Sequence, residues 1–128
     1  MAYLVDTHVL RWFSADPDQL GKSTRRILER EPLIYFSPLS IAELRIKEQL
    51  GRIKVSQTFV QDLVEQGLTP LAYEVSHAWD IGRFTMLAKH DPFDRMILAQ
   101  AANARLTFIT ADTKILDLGL NWIQDAKK

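Results

Sequence analysis

The chain has 128 residues, enough to bury a sizeable apolar core. Sixteen basic and sixteen acidic residues cancel, 47% of the chain is hydrophobic, and there is no cysteine. Those values exclude a disulfide framework and a thiolate metal site, and they show no basic excess of the kind that draws a protein to nucleic acid in general. No run of about 18 apolar residues occurs, and the N-terminus lacks a basic region followed by an apolar stretch. We therefore expect a cytoplasmic protein that neither spans nor crosses a membrane.

In chain order, Tyr3-Leu4-Val5 reads as a buried strand that ends at Asp6. Helical spacing follows through Val9, Leu10, Trp12 and Phe13, and again from Thr24 to Arg30. The basic cluster in that second segment (Lys22, Arg25, Arg26, Arg30) and the one at Arg45, Lys47, Arg52 and Lys54 read as solvated helix faces. Leu33 to Phe36 is a second strand, after which Ser37-Pro38 opens a helix running to Leu50 and stopping at Gly51. Glu43 lies more than a turn inside it, on a face with Leu39, Ile46 and Leu50. Two ordinary explanations for Glu43 remain open: a capping box with Ser40, or an ion pair with Lys47 one turn on.

Ser56 to Gln66 reads as a further helix, and Leu68 to Tyr73 as a weaker strand interrupted by Pro70. Ser76 to Ala88 is amphipathic, and Trp12, Phe13, Trp79 and Phe84 are expected in the core. In the stretch HDPFDRMILAQAA, Asp91 suits a helix cap and Pro92 the first helical position. Asp94 could serve the same helix start, but it continues as Leu98 and Ala101 on an inward stripe. A carboxylate facing inward is costly unless it is paired, hydrogen-bonded or bound to metal. Leu106 to Ile109 is a strand leading to Thr110-Ala111-Asp112, and Leu120 to Ile123 a last short one.

Alternation of strands and helices predicts an α/β fold with a mostly parallel sheet covered on both faces. Ligands of such a sheet bind outside the carboxyl ends of its strands. Asp6 and Asp112 both emerge there. Like charges gathered at one edge repel unless a cation compensates them, and an all-oxygen set suits Mg²⁺ or Mn²⁺. Mg²⁺ commonly bonds substrate phosphate as well, so a pocket of this kind points to phosphate chemistry. His8, His77 and His90 share no ligand spacing, so zinc is not expected.

Four segments, LVDTHVLRWF, SPLSIAELRIKEQLGRIKV, HDPFDRMILAQAA and LTFITAD, together resemble the PIN-domain ribonucleases, most closely the VapC-like toxins of toxin–antitoxin pairs. The resemblance spans nearly the whole chain, read as a single PIN-like domain over residues 1–128. It implies a three-layer α/β/α sandwich with a parallel sheet of about five strands, and Mg²⁺- or Mn²⁺-dependent hydrolysis of RNA. Carried over motif by motif, it assigns the acids to Asp6, Glu43, Asp94 and Asp112, with Asp91 left as the helix cap. Thr110 would orient a carboxylate or a water at the metal. His8 and Arg95 stand where many members carry Asn or Ser and a small residue, and could touch substrate phosphate or a partner. A cognate antitoxin covering the acidic pocket, and a homodimer, are further expectations of the resemblance.

Other classes stay open. A haloacid dehalogenase-like phosphohydrolase also starts from an aspartate after the first strand, but needs a second aspartate where His8 stands. A receiver domain needs an acidic pair after the first strand, which is not visible. A non-catalytic RNA- or protein-binding domain of PIN type remains the main alternative.

Overall fold

A computed structural model describes residues 1–128. Five strands form one sheet: β1 (Ala2–Val5), β2 (Leu33–Phe36), β3 (Leu68–Pro70), β4 (Thr107–Thr110) and β5 (Ile123–Asp125). Their order is β3-β2-β1-β4-β5, and every pairing is parallel. The helices between them are α1 (Thr7–Ala15), α2 (Lys22–Arg30), α3 (Pro38–Gln49), α4 (Phe59–Glu65), α5 (Val75–Trp79), α6 (Pro92–Ala104) and α7 (Thr113–Leu116). Two 3-10 segments, Pro17–Gln19 and Asp80–Leu87, complete the regular structure.

Side chains alternate across each strand, so the sheet carries an apolar layer on either face. Tyr3, Val5, Ile34, Phe36 and Ile109 pack with Val9 and Leu10 of α1, Leu28 of α2 and Leu63 of α4. Leu4 and Phe108 point the other way and pack with Ile97 and Leu98 of α6, Ile115 of α7, and Phe84 and Leu87. The result is the expected α/β/α sandwich, with helices covering both faces. Each fully buried large side chain contributes about 1.5–3 kcal/mol, so these two layers hold the fold together.

Residues at the carboxyl ends of the strands then start the helices. The Asp6 carboxylate accepts the Val9 N–H at 2.8 Å, and the Ser37 hydroxyl accepts the Leu39 N–H at 3.1 Å. Asp112 Oδ1 accepts from Lys114 and Ile115. Asp91 caps α6 as expected, accepting the Phe93 N–H at 2.8 Å. Gly51 ends the α3 region in a left-handed conformation, φ 73°, which a residue without Cβ adopts freely.

Several sequence expectations need correction. The amphipathic stretch Ser76–Ala88 is not one helix: α5 gives way to a 3-10 segment with a kink at Phe84, where φ is −115° and ψ 51°. Trp79 is 84% exposed and is not a core residue. Ile46 and Leu50 are exposed too, so the buried face of α3 consists of Ser40, Glu43 and Leu44 instead of an apolar stripe through Glu43. The last strand lies at Ile123–Asp125, later than the Leu120–Ile123 run suggested. No helix is long and apolar enough to cross a membrane.

Candidate metal centre

Strand order fixes where a ligand can sit. From β1 the chain passes to β2 on one side, and β4 lies on the other, so the crevice beyond the ends of β1 and β4 is a topological switch point. Asp6 follows β1 and Asp112 follows β4 within two residues. Asp6 is buried, and its backbone N–H donates to Ile109 O at 3.0 Å, which ties the two strand ends together.

Thr110 links the two acids. Its hydroxyl donates to Asp6 Oδ2 and accepts the Asp112 N–H at 3.0 Å. From Asp112 the chain of contacts continues through His90, whose Nε2 lies 2.7 Å from Asp112 Oδ2 and 3.3 Å from Asp94 Oδ2. Asp94 is buried in the first turn of α6, as its inward stripe requires.

Glu43 stands to the side of this chain. One oxygen, Oε2, accepts from Lys47 Nζ at 2.9 Å, so the ion pair one turn on does form. The capping box with Ser40 does not, because Ser37 is the cap and Ser40 lies inside α3. Ser40 instead accepts from Thr7 Oγ1 at 3.0 Å, fastening α3 to the start of α1. The second Glu43 oxygen, Oε1, is buried and has no partner. An orphaned carboxylate oxygen of this kind is expensive unless something cationic or protic meets it.

Titration behaviour shows how closely the acids press on one another. Burial, followed by the charges of Asp6, Asp91, Glu43 and Asp112, pushes the Asp94 carboxyl up to about 8. Burial likewise raises Asp6 to about 6 against the hydrogen bonds from Thr110 and Val9. Asp112 goes the other way. Burial would raise it, but the hydrogen bonds from Ile115 and His90 outweigh that and leave it below the usual carboxylate range. A region holding this much like charge with one orphaned oxygen fits a divalent cation, and the donor chemistry is mostly hard oxygen. The donor atoms that approach within 4.8 Å of one another are those of His90, Asp94 and Asp112, with Asp6 and Glu43 outside that tight group.

The remaining candidates are more peripheral. His8 is exposed, tilted against Trp12 at 6.0 Å between ring centroids, and its charge lowers the Asp6 carboxyl. It occupies the position where a dehalogenase-like enzyme would need a second aspartate. Arg95 is half-buried, forms no ion pair, and leaves a buried Nε without an acceptor, so it is not a freely solvated arginine. Sequence reasoning weighed His90 only as a zinc ligand and set it aside. The only signal was its place four residues before Asp94, which the intervening helix cap disguises. A cleft of about 430 Å³ lies between α3 and α4 around Ile41, Val55 and Phe59, and none of these acids lines it.

Comparison with known proteins agrees with this architecture. The sequence profile described as "PIN domain" matches residues 3–120. The chain is 26% identical over 119 residues to Ribonuclease VapC22 of Mycobacterium tuberculosis, covering 88% of each. Among solved structures, VapBC2 from Rickettsia felis, bound to a DNA fragment from their promoter, superposes with a TM-score of 0.69 at 17% identity, covering 97% of this chain and 98% of that one. A toxin–antitoxin complex from Klebsiella pneumoniae gives 0.69 at 18% identity, with 98% of both chains covered. At those identities the structural likeness concerns the fold.

Proposed function

Because the chain belongs to the PIN domain family, we propose that it is a metal-dependent endoribonuclease acting in the cytoplasm, the toxin of a toxin–antitoxin pair. The observation that supports the reading is the close approach of Asp94 and Asp112 around His90. Asp6 is near enough, beyond the ends of β1 and β4, that burial, followed by the charges of the neighbouring acids, raises the Asp94 carboxyl to about 8. Asp6 and Asp94 would hold Mg²⁺ or Mn²⁺, and Asp112 would complete the set directly or through a water. When bound, the ion would supply Lewis acidity at the scissile phosphate and the positive charge that lets these carboxylates stay ionised together.

The chain's own groups then divide the work. Thr110 holds Asp6 and Asp112 in fixed relative orientation through its one hydroxyl. Hydrolysis forms a bond from water oxygen to phosphorus as a phosphodiester P–O bond breaks. Glu43 Oε1, free of Lys47, is the acceptor we assign to orient that water. The N-termini of α1 and α6 open on the same rim, and their positive dipole ends favour an anionic substrate there.

The partner follows from the relatives. The Klebsiella neighbour is a toxin–antitoxin complex, and the 26% relative bears the name of a VapC ribonuclease. We assign this chain a cognate antitoxin whose C-terminal segment covers the acidic pocket, and a homodimer as its own assembly. Purified protein incubated with total cellular RNA tests the activity. Cleavage should require Mg²⁺ or Mn²⁺, stop with EDTA, and vanish in a folded Asp6→Asn protein. Cleavage that survives chelation would overturn the proposal.

A further inference from the structure

His90 has no assigned part in the acid set, yet it stands at its centre. Its imidazole is largely covered by protein, with 14% of the side chain exposed. The loop that carries it is fixed by the His90 N–H, which donates to Leu87 O at 2.9 Å. Nε2 meets two carboxylate oxygens, Asp112 Oδ2 at 2.7 Å and Asp94 Oδ2 at 3.3 Å. One ring nitrogen carries at most one hydrogen, so it cannot serve both as a donor. The shorter contact takes the hydrogen bond, and the ring has no second hydrogen on that nitrogen to offer Asp94.

An ion resolves that arrangement. Donors held at about 2.1 Å in an octahedral set stand about 3.0 Å apart along each edge. The two observed separations lie on either side of that value. Asp112 Oδ1 is already committed to the α7 cap, so Oδ2 is the oxygen free to share an ion with the imidazole. The buried and unpartnered Glu43 Oε1 lies outside the cluster but near enough for the Glu43 charge to act on Asp94, and it marks a missing cation or donor there.

We propose that His90 Nε2 is a ligand of the divalent ion beside Asp94 and Asp112, and that it biases this site toward Mn²⁺ over Mg²⁺. An imidazole binds first-row transition ions more readily than Mg²⁺, which prefers oxygen throughout. On binding, Nε2 faces the ion without a proton and the ring's remaining hydrogen sits on Nδ1. This inference rests on the metal-dependent reading of the site and adds to it a nitrogen ligand and a metal preference.

Electron spin-echo spectroscopy of Mn²⁺-loaded protein provides the test, because a directly bound imidazole imprints ¹⁴N modulation. The wild type should show it, His8→Asn should keep it, and both His90→Asn and His90→Gln should lose it while retaining wild-type circular dichroism. Calorimetry should show Mn²⁺ affinity falling at least about tenfold in the His90 variants, the scale at which metal-site partners matter, with Mg²⁺ affinity changed much less. Bound Mn²⁺ without ¹⁴N modulation, or modulation that survives loss of His90, overturns the His90 assignment and leaves the metal-dependent nuclease standing. No Mn²⁺ binding by the wild type overturns both.

Discussion

Phe108 and Asp94 are both buried, and they teach opposite lessons about burial. Phe108 lies fully enclosed in the apolar layer between the sheet and α6, where every neighbour favours its being there. Asp94 sits one layer up, in the first turn of α6, where burial and four surrounding acids all oppose its charge. The apolar layers lower the energy of the fold. The rim raises it, since its carboxylates carry a cost that folding alone does not offset. Groups left unsatisfied in an otherwise satisfied protein mark a candidate functional site.

Substitutions in the two regions should therefore move stability and activity in different directions. The largest effect is expected at Asp94→Asn: RNA cleavage should drop by about a hundredfold or more. The same change should raise the melting temperature of the metal-free protein near pH 8, because it removes one of several mutually repelling carboxylates. Phe108→Ala should do the reverse, costing about 3–5 kcal/mol in chemical denaturation while cleavage per folded molecule is kept. If both variants lost stability alike, the contrast between core and rim would be wrong.

pH sharpens the contrast further. Asp94 at about 8 and Asp6 at about 6 both lie above their ordinary value of 3.8. Between those limits the folded protein keeps protons that the unfolded chain has released, so metal-free stability must fall as pH rises from about 4 to about 8. Asp112, lowered in the fold, acts only below the ordinary carboxylate range and with the opposite sign. Denaturation midpoints measured at pH 5.5 and pH 8 without divalent ions should differ in that direction. Saturating Mn²⁺ should flatten or reverse the slope, since the ion competes with those protons. The smallest effect belongs to Asp91→Ala, an exposed cap. It should cost about 1 kcal/mol and leave cleavage nearly unchanged.

Much of the scaffold was legible because local chemistry and global fold agree there. Tyr3-Leu4-Val5, Ser37-Pro38 and Asp91-Pro92 each announce an element by apolar run or cap, and each stands where announced. The kink at Phe84 was not legible, since a 3-10 segment carries nearly the same spacing of apolar residues as the helix it interrupts. Trp79 misled because a stripe on so short a helix says nothing about whether anything covers it. Asp6 and Asp112 were legible as acids at strand ends, which parallel-sheet geometry brings to one rim, while Asp94 was legible from the inward stripe of α6. His90 was not, because a loop, not a helical repeat, carries it to Asp112, 22 residues away. Glu43 was half legible: its ion pair with Lys47 could be read from spacing, its orphaned oxygen only from packing.

Thermal denaturation of the wild type and Asp94→Asn at pH 8, with and without Mn²⁺, bears most directly on the claim that the rim exists to hold a divalent ion. The wild type should gain about 2.7 kcal/mol of stability at a hundredfold excess of Mn²⁺ over its dissociation constant, and Asp94→Asn should gain almost none at the same concentration. Equal stabilisation of the two proteins, or none in the wild type, would contradict it.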